Sequence, residues 1–254
     1  MSQPTILKTT AELIQWRKTI KGKTVGFVPT MGALHEGHVS LLEKSRSEND
    51  FNILSIFVNP TQFNQAQDLD KYPRTWNEDL KLATGAGTDA IFFPTFEQMY
   101  PDNYNYSVHE NDFSLMLCGA SRAGHFQGVL TIVLKLLNLV QPTRVYMGEK
   151  DHQQLQLIKK MVSALFLPTD IIGCPTIRNS SGLALSSRNA RLTEDERTRS
   201  SLIYKTITTA ADTAEAKAVL EKAGFKIDYL VDVENRRYVA AFVGDVRLID
   251  NVEL

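Results

Sequence analysis

The sequence predicts an α/β fold: a parallel sheet with helices on both faces, followed by a small carboxy-terminal α/β domain. Short apolar segments of strand character alternate with longer segments of helical spacing, and this alternation is typical of parallel strands joined by helices. The predicted strands are residues 24–28, 52–58, 89–93, 144–147 and 170–174. The predicted helices are residues 38–48, 77–86, 126–140 and 150–165.

The third predicted helix has the clearest periodicity. Its apolar residues recur at i, i+3, i+4, i+7, i+8 and i+11, which places them on one face of a helix. They are Val129, Ile132, Val133, Leu136, Leu137 and Val140. A helix with this apolar stripe is expected to pack against the sheet.

The character of the sequence changes after Arg191. Thr193 precedes three acidic residues and resembles a helix N-cap, and a polar helical region continues to about Ala223. Three short strands are predicted after it, at residues 226–233, 237–243 and 246–250. We therefore expect a first domain over residues 1–176 and a small second domain over residues 177–254.

Composition excludes several classes of protein. The chain has 254 residues, 43% of them hydrophobic, enough for one sizeable core, and a formal net charge of −1. This charge provides no overall field that would attract nucleic acid or an anionic membrane. Cys118 and Cys174 do not form a disulfide framework, and the first residues lack the pattern of a signal peptide. We expect a cytoplasmic protein.

The most informative segment is PTMGALHEGH, residues 29–38, where the first predicted strand passes into a helix. Such a turn exposes free backbone N–H groups and the positive end of a helix dipole, and both attract phosphate. His35 and His38 lie on the same turn and can meet the charge that develops on a phosphate under attack. The alternative interpretation is a metal site or a pair of surface histidines. A zinc site needs three or four ligands, and the HExxH spacing is absent here.

Two further segments carry neutral or cationic groups suited to a small anionic substrate. FVNPTQF, residues 57–63, contains the amides of Asn59 and Gln62, which can bind a hydroxyl and a carboxylate. RAGHFQGV, residues 122–129, places Arg122 and His125 before the apolar helix. For each segment a purely structural role is about equally plausible: Asn-Pro is a common turn, and a histidine often begins a helix.

Two others carry cations at turns. GEKDHQQ, residues 148–154, follows the fourth predicted strand and begins a helix, so Lys150 would add a mobile charge to another phosphate-attracting turn. LALSSRN, residues 183–189, offers hydroxyls and the Arg188 guanidinium to a polyphosphate. The acidic residues of the first of these turns are explained equally well as helix caps.

Together these segments resemble the pantoate–β-alanine ligase (pantothenate synthetase) family of the nucleotidylyltransferase superfamily. The matching stretches are PTMGALHEGH, FVNPTQF, YPRT, GHFQGV, GEKDHQQL, GLALSSRN and RLIDN, in the order of the family and over essentially the whole chain. One departure is Ala123, where the family usually has proline.

The resemblance implies a Rossmann-like domain with a small lid domain, usually in a homodimer. It also implies an ATP- and Mg²⁺-dependent enzyme of coenzyme A biosynthesis: (R)-pantoate and ATP form pantoyl adenylate and pyrophosphate, and β-alanine then displaces AMP. The protein ligands of the magnesium ion remain unassigned.

The resemblance further implies the roles of individual residues. His38 would be the acid catalyst, and Gln62 and Gln154 would bind pantoate, with Gln62 also meeting β-alanine. From the chemistry of the residues themselves, we expect His35, Lys150 and Arg188 to assist His38 as donors to the phosphate charge. On the same ground, Asn59 and His125 are expected to bind substrate. ATP would be bound by Met31, Gly32, Ala33, Leu34, His35, Glu36, Gly37, His38, Gly148, Glu149, Lys150, Asp151, Ile177, Leu185, Ser186, Ser187 and Arg188.

Two other functions compete with this one. The first is a different nucleotidylyltransferase of the same superfamily, which would share the histidine turn but not the two glutamine-bearing segments. The second is a nucleotide-binding regulator that lacks catalysis.

Overall fold

The computed structural model describes residues 3–254. Its larger sheet has six strands, all paired in parallel, in the order β1-β4-β3-β2-β5-β6. The strands are β1 (Thr5–Leu7), β2 (Val25–Thr30), β3 (Phe51–Ile56), β4 (Ala90–Phe92), β5 (Arg144–Gly148) and β6 (Asp170–Cys174). The strand order reverses between β2 and β5, and in such sheets ligands bind at the carboxyl ends beside this reversal.

Helices connect these strands. They are α1 (Thr10–Thr19), α2 (Glu36–Glu48), α3 (Ala66–Asp70), α4 (Trp76–Gly85), α5 (Phe96–Met99), α6 (Cys118–Ser121), α7 (His125–Val140) and α8 (His152–Ala164). Short 3-10 helices span Pro60–Gln62, Phe113–Leu115 and Glu149–Asp151. The predicted parallel α/β fold is confirmed.

Both faces of the sheet are buried. Val28 and Leu54 pack with Leu42 of α2 in one apolar cluster. Their neighbours Phe27 and Ile53 point to the opposite face, because side chains alternate along a strand, and both are fully buried as well. Near-continuous apolar strands are what a sheet covered on two faces requires.

The carboxy-terminal part has its own antiparallel sheet, β7-β8-β9, built from β7 (Lys226–Val233), β8 (Arg236–Val243) and β9 (Val246–Glu253). Its helices are α9 (Glu194–Ser200), α10 (Leu202–Thr209) and α11 (Thr213–Lys222), after a 3-10 helix at Ser187–Arg191. Thr193 is the N-cap of α9, as its sequence predicts, and the structure adds a capping box with Glu196. A separate apolar cluster that includes Ile207, Leu220 and Val239 forms the core.

The contacts divide the chain into two compact units. Of the described residues, unit 1 comprises 3–148 and 153–174, and unit 2 comprises 149–152 and 175–254. The sequence-based division at 176/177 differs in two respects: residues 175 and 176 and the short turn at residues 149–152 belong with the carboxy-terminal residues. Its backbone is hydrogen-bonded to β9, through the Asn251 side chain. The assignment of separate functions to residues 1–176 and 177–254 stays a prediction.

Within residues 3–254, no helix has both the length and the apolar character needed to cross a membrane.

Candidate functional site

The turn after β2 leads into the N-terminus of α2, a position that can bind an anion. His35 is the N-cap of α2, and its Nδ1 accepts a hydrogen bond from Gly37 N at 3.2 Å. His38 Nδ1 accepts from His35 N at 3.3 Å, which completes a capping box in which histidine replaces the usual side chains. The two imidazole centroids are 4.1 Å apart.

These contacts fix the tautomer of both histidines. A backbone N–H can only donate, so Nδ1 of each ring must accept and the proton of each neutral ring lies on Nε2. In both rings the Nε2–H is then the donor, and Nδ1 serves the cap. Such a donor is what stabilisation of phosphate charge or protonation of a leaving group requires.

Sequence reasoning missed the residue that holds this turn, Asp79 of α4. Its carboxylate is 2% exposed and accepts from Leu34 N at 2.7 Å and from Ala33 N at 3.0 Å. Ala33 has φ of +51°, a left-handed conformation that costs an alanine about 1 kcal/mol or more, so the turn needs this support. A Cβ on Gly32 would meet Asp79 Oδ2 at 2.9 Å, so the carboxylate packs directly under the turn.

Asn59 and Gln62 form a second group within unit 1, at the carboxyl end of β3. Asn59 Oδ1 accepts from the Thr61 backbone N–H at 3.4 Å, and its Nδ2 donates to Gly128 O at 3.2 Å. These backbone partners fix the amide, so Nδ2 also donates to Gln62 Oε1 at 3.1 Å. Gln62 is left with Nε2 as a donor, which meets Met31 Sδ at 3.0 Å. The Gln62 amide is therefore oriented so that its N–H groups are the donors, and such donors suit a carboxylate or a hydroxyl.

Tyr100 supports Asn59 from the protein interior. Its hydroxyl donates to Asn59 Oδ1 at 2.9 Å. Burial raises the pKa of Tyr100 to about 12, so the hydroxyl keeps its proton at neutral pH. No local sequence signal indicates this contact, because the two residues lie 41 positions apart.

His125 lies behind Gln62. Its Nδ1 is 2.8 Å from Gln62 O, an acceptor, and its Nε2 is 3.0 Å from the Arg122 guanidinium, a donor. The ring is buried, with 8% exposed. A Cβ on Gly128 would clash with the backbone carbonyl of Thr61, so glycine is required for this close packing of α7 on the Pro60–Gln62 turn. These contacts hold the Gln62 backbone in place, and the substrate-binding role of His125 stays a prediction.

The third group lies in unit 2 and consists of the Lys150 turn and the loop at residues 177–188. Lys150, Ser186 and Arg188 line the same surface cleft. The Lys150 side chain is only 15% exposed. Leu185 N donates to Ile177 O at 2.9 Å, and Ser186 Oγ caps the turn by accepting from Arg188 N at 3.3 Å. Two predicted cationic residues are therefore brought together in this cleft.

The remaining predicted substrate residue, Gln154, lies in unit 1 on α8 and is partly buried. Its neighbour Gln153 has a structural role: Gln153 Oε1 accepts from Cys118 N, and its Nε2 donates to two carbonyls at 2.8 Å, those of Phe113 and Met116.

A parallel sheet with a histidine-capped helix at its reversal point defines an α/β protein suited to bind an anionic ligand at that helix. Comparison with known proteins identifies its family. The family model described as Pantoate-beta-alanine ligase matches residues 5–253, so the chain belongs to the pantoate–β-alanine ligase family.

Individual relatives agree with this assignment. The chain is 55% identical over 249 residues to the pantothenate synthetase of Bdellovibrio bacteriovorus, covering 98% of this chain and 99% of that protein. It is similar to the pantoate-β-alanine ligase of Francisella tularensis, crystallised with β-γ ATP and β-alanine, with TM-score 0.94, 41% identity and coverage of 98% and 97%. It is also similar to the crystal structure of pantothenate synthetase from Thermus thermophilus, with TM-score 0.89, 40% identity and coverage of 98% and 99%. The chain is accordingly an enzyme that ligates pantoate with β-alanine, and the two competing functions are not favoured.

Proposed function

We propose that this chain catalyses the ATP-dependent condensation of (R)-pantoate with β-alanine through enzyme-bound pantoyl adenylate. The observation that carries the proposal is the histidine-capped turn at the sheet reversal, with two Nε2–H donors at a helix N-terminus. The Francisella tularensis relative was crystallised with β-γ ATP and β-alanine, which supports ATP and β-alanine as ligands here.

In the proposed first step, a carboxylate oxygen of pantoate attacks the α-phosphorus of ATP, and the bond to the bridging oxygen of pyrophosphate breaks. His38 Nε2–H donates a proton or hydrogen bond to the charge that develops, with His35 beside it. Lys150 and Arg188 stabilise the phosphate charge. The protein performs little covalent chemistry, so catalysis depends on positioning and electrostatic stabilisation.

In the second step, the amine of β-alanine attacks the acyl carbon of pantoyl adenylate and AMP leaves with the oxygen that came from the carboxylate. Gln62, through Nε2–H, and Gln154 orient pantoate for both steps, and Gln62 also meets β-alanine. Exclusion of water protects the adenylate from hydrolysis.

We propose that Mg²⁺ enters with ATP. Among residues 3–254, no group of three or more His, Cys, Asp or Glu side chains is placed to hold a metal ion. Magnesium is commonly bound through substrate phosphates and water, with few protein ligands, so a Mg²⁺ ion carried by ATP needs no such cluster.

A homodimer and a cytoplasmic location are further proposals that rest on the family resemblance. Analytical ultracentrifugation tests the first, and cell fractionation tests the second.

The proposed reaction is tested by following AMP release and pantothenate formation with the purified chain. Both products are expected only when ATP, pantoate and β-alanine are all present, in a 1:1 ratio. AMP formation that does not depend on pantoate, or ADP in place of AMP as the product, would refute the proposal.

Gln62→Ala is expected to raise the KM for pantoate by about tenfold or more, because one or two hydrogen bonds to a charged group are lost. The KM for ATP should change little, since a neutral amide contributes little to phosphate binding. Initial rates with each substrate varied in turn measure both values. Gln67→Ala, at an exposed glutamine of the following helix, is the matched control. A KM effect on ATP alone would show that Gln62 is misassigned.

Arg188→Ala is expected to slow pantoate-dependent exchange of labelled pyrophosphate into ATP by about 10²-fold, because a guanidinium that holds the departing phosphates is lost. Lys217→Ala, at an exposed lysine of α11 in the same unit, removes a positive charge that does not line this cleft and is expected to exchange normally. Unchanged exchange in Arg188→Ala would remove Arg188 from the first step.

A further inference from the structure

The end of β9 carries a buried amide bonded to the backbone of the Lys150 turn. Asn251 Nδ2 donates to Glu149 O and to Lys150 O, both at 3.0 Å. The residue is 6% exposed. All of these groups belong to unit 2.

The orientation of this amide is determined by its partners. Arg236 Nη1 donates to Asn251 Oδ1 at 2.7 Å, and a guanidinium can only donate, so Oδ1 must be the acceptor and Nδ2 faces the two carbonyls. Asp250 Oδ1 accepts from Asn251 N at 2.9 Å and also from Arg178 Nη2 at 2.8 Å. The side chain of Asn251 is therefore held by Arg236, and its backbone N–H is held by Asp250.

Two consecutive carbonyls bonded to one amide fix the peptide planes on either side of the Lys150 Cα. The lysine can then reach the cleft that it shares with Ser186 and Arg188 from one defined backbone position. A lysine side chain has many rotamers, so a fixed starting point lowers the entropic cost of placing its ammonium group.

We propose that Asn251 is a positioning residue for Lys150: it ties the lysine turn to β9 and so sets where the ammonium group meets the phosphates. This inference rests on the proposed role of Lys150 in adenylation. In this proposal Asn251 acts through the turn, without contact with ATP, pantoate or β-alanine.

The central test is the Asn251→Asp variant, which keeps the volume and the partnership with Arg236 but loses both donor hydrogens. We expect kcat for AMP release to fall about tenfold or more, with the KM for pantoate nearly unchanged. Glu253→Gln is the matched control: this exposed side chain lies on the same strand and contacts Arg236 at 3.6 Å, but does not touch the turn. It is expected to behave as the unaltered chain.

A double-mutant cycle separates positioning from a general loss of stability. In a Lys150→Ala background, Asn251→Asp should cause no further loss of kcat, because the group that it positions is gone. Thermal unfolding of all four proteins shows whether they are folded, and Asn251→Ala replaces the aspartate variant in the cycle if that variant unfolds.

Losses that multiply in the double variant, or an Asn251→Asp enzyme with normal kcat, would overturn the inference while leaving the proposed function intact. An unaltered chain that forms no pantothenate would instead refute the proposed function itself.

Discussion

His38→Ala is expected to reduce the rate of pantoyl adenylate formation by about 10²–10³-fold, the usual cost of removing one preorganised donor from a transition state. The reason is the Nε2–H that the capping contact with His35 N leaves in place. Single-turnover formation of the adenylate from ATP and pantoate measures the rate without interference from the second step.

His38→Asn separates the cap from the chemistry. Asparagine Oδ1 can replace Nδ1 as acceptor for the cap but provides no equivalent of Nε2–H, so stability should be retained while the rate remains low. His109→Ala, at an exposed histidine of unit 1, is the control. A folded His38→Ala enzyme with a normal rate would show that His38 takes no part in adenylation.

Asp79→Asn is expected to lower the free energy of unfolding by about 1.5–3 kcal/mol and to reduce adenylation at the same time. The substitution turns one of two acceptors for Ala33 N and Leu34 N into a donor, and hydrogen bonds to a buried charged group are among the stronger ones. The left-handed turn before α2 would then lose its support. Urea unfolding and the single-turnover rate measure the two effects.

Glu78→Gln, at the exposed neighbouring position of α4, should change neither property. If Asp79→Asn kept both full stability and full activity, the carboxylate would not be what holds the turn.

The sequence predicted those parts of the fold whose signals are local. Strand β6 was predicted with its observed bounds, as was β7, and the apolar stripe located α7 to within one residue. Strand β1 and helix α1 were missed. The strand has only three residues, and α1 has a single buried residue, Leu13, so neither carries a periodic pattern.

The same distinction applies to the candidate site. The histidine turn is contained within ten consecutive residues, so its chemistry could be inferred from the sequence. Asp79 supports it from 45 positions away, and Asn251 contacts Lys150 across 101 positions. Contacts at this separation depend on the tertiary fold, and an isolated aspartate or asparagine in a helix or strand gives no sign of them. The sequence alone therefore identified the groups proposed to touch ligands, and the structure added the residues that orient them.

Oxygen transfer from substrate to product tests the central claim, a pantoyl adenylate intermediate, most directly. Pantoate labelled with ¹⁸O in both carboxylate oxygens is incubated with ATP, β-alanine and the enzyme, and the phosphorus products are analysed by mass spectrometry. Attack of the carboxylate on the α-phosphorus predicts one ¹⁸O atom in each AMP released and none in pyrophosphate. Unlabelled AMP, or label recovered in inorganic phosphate, would contradict the account.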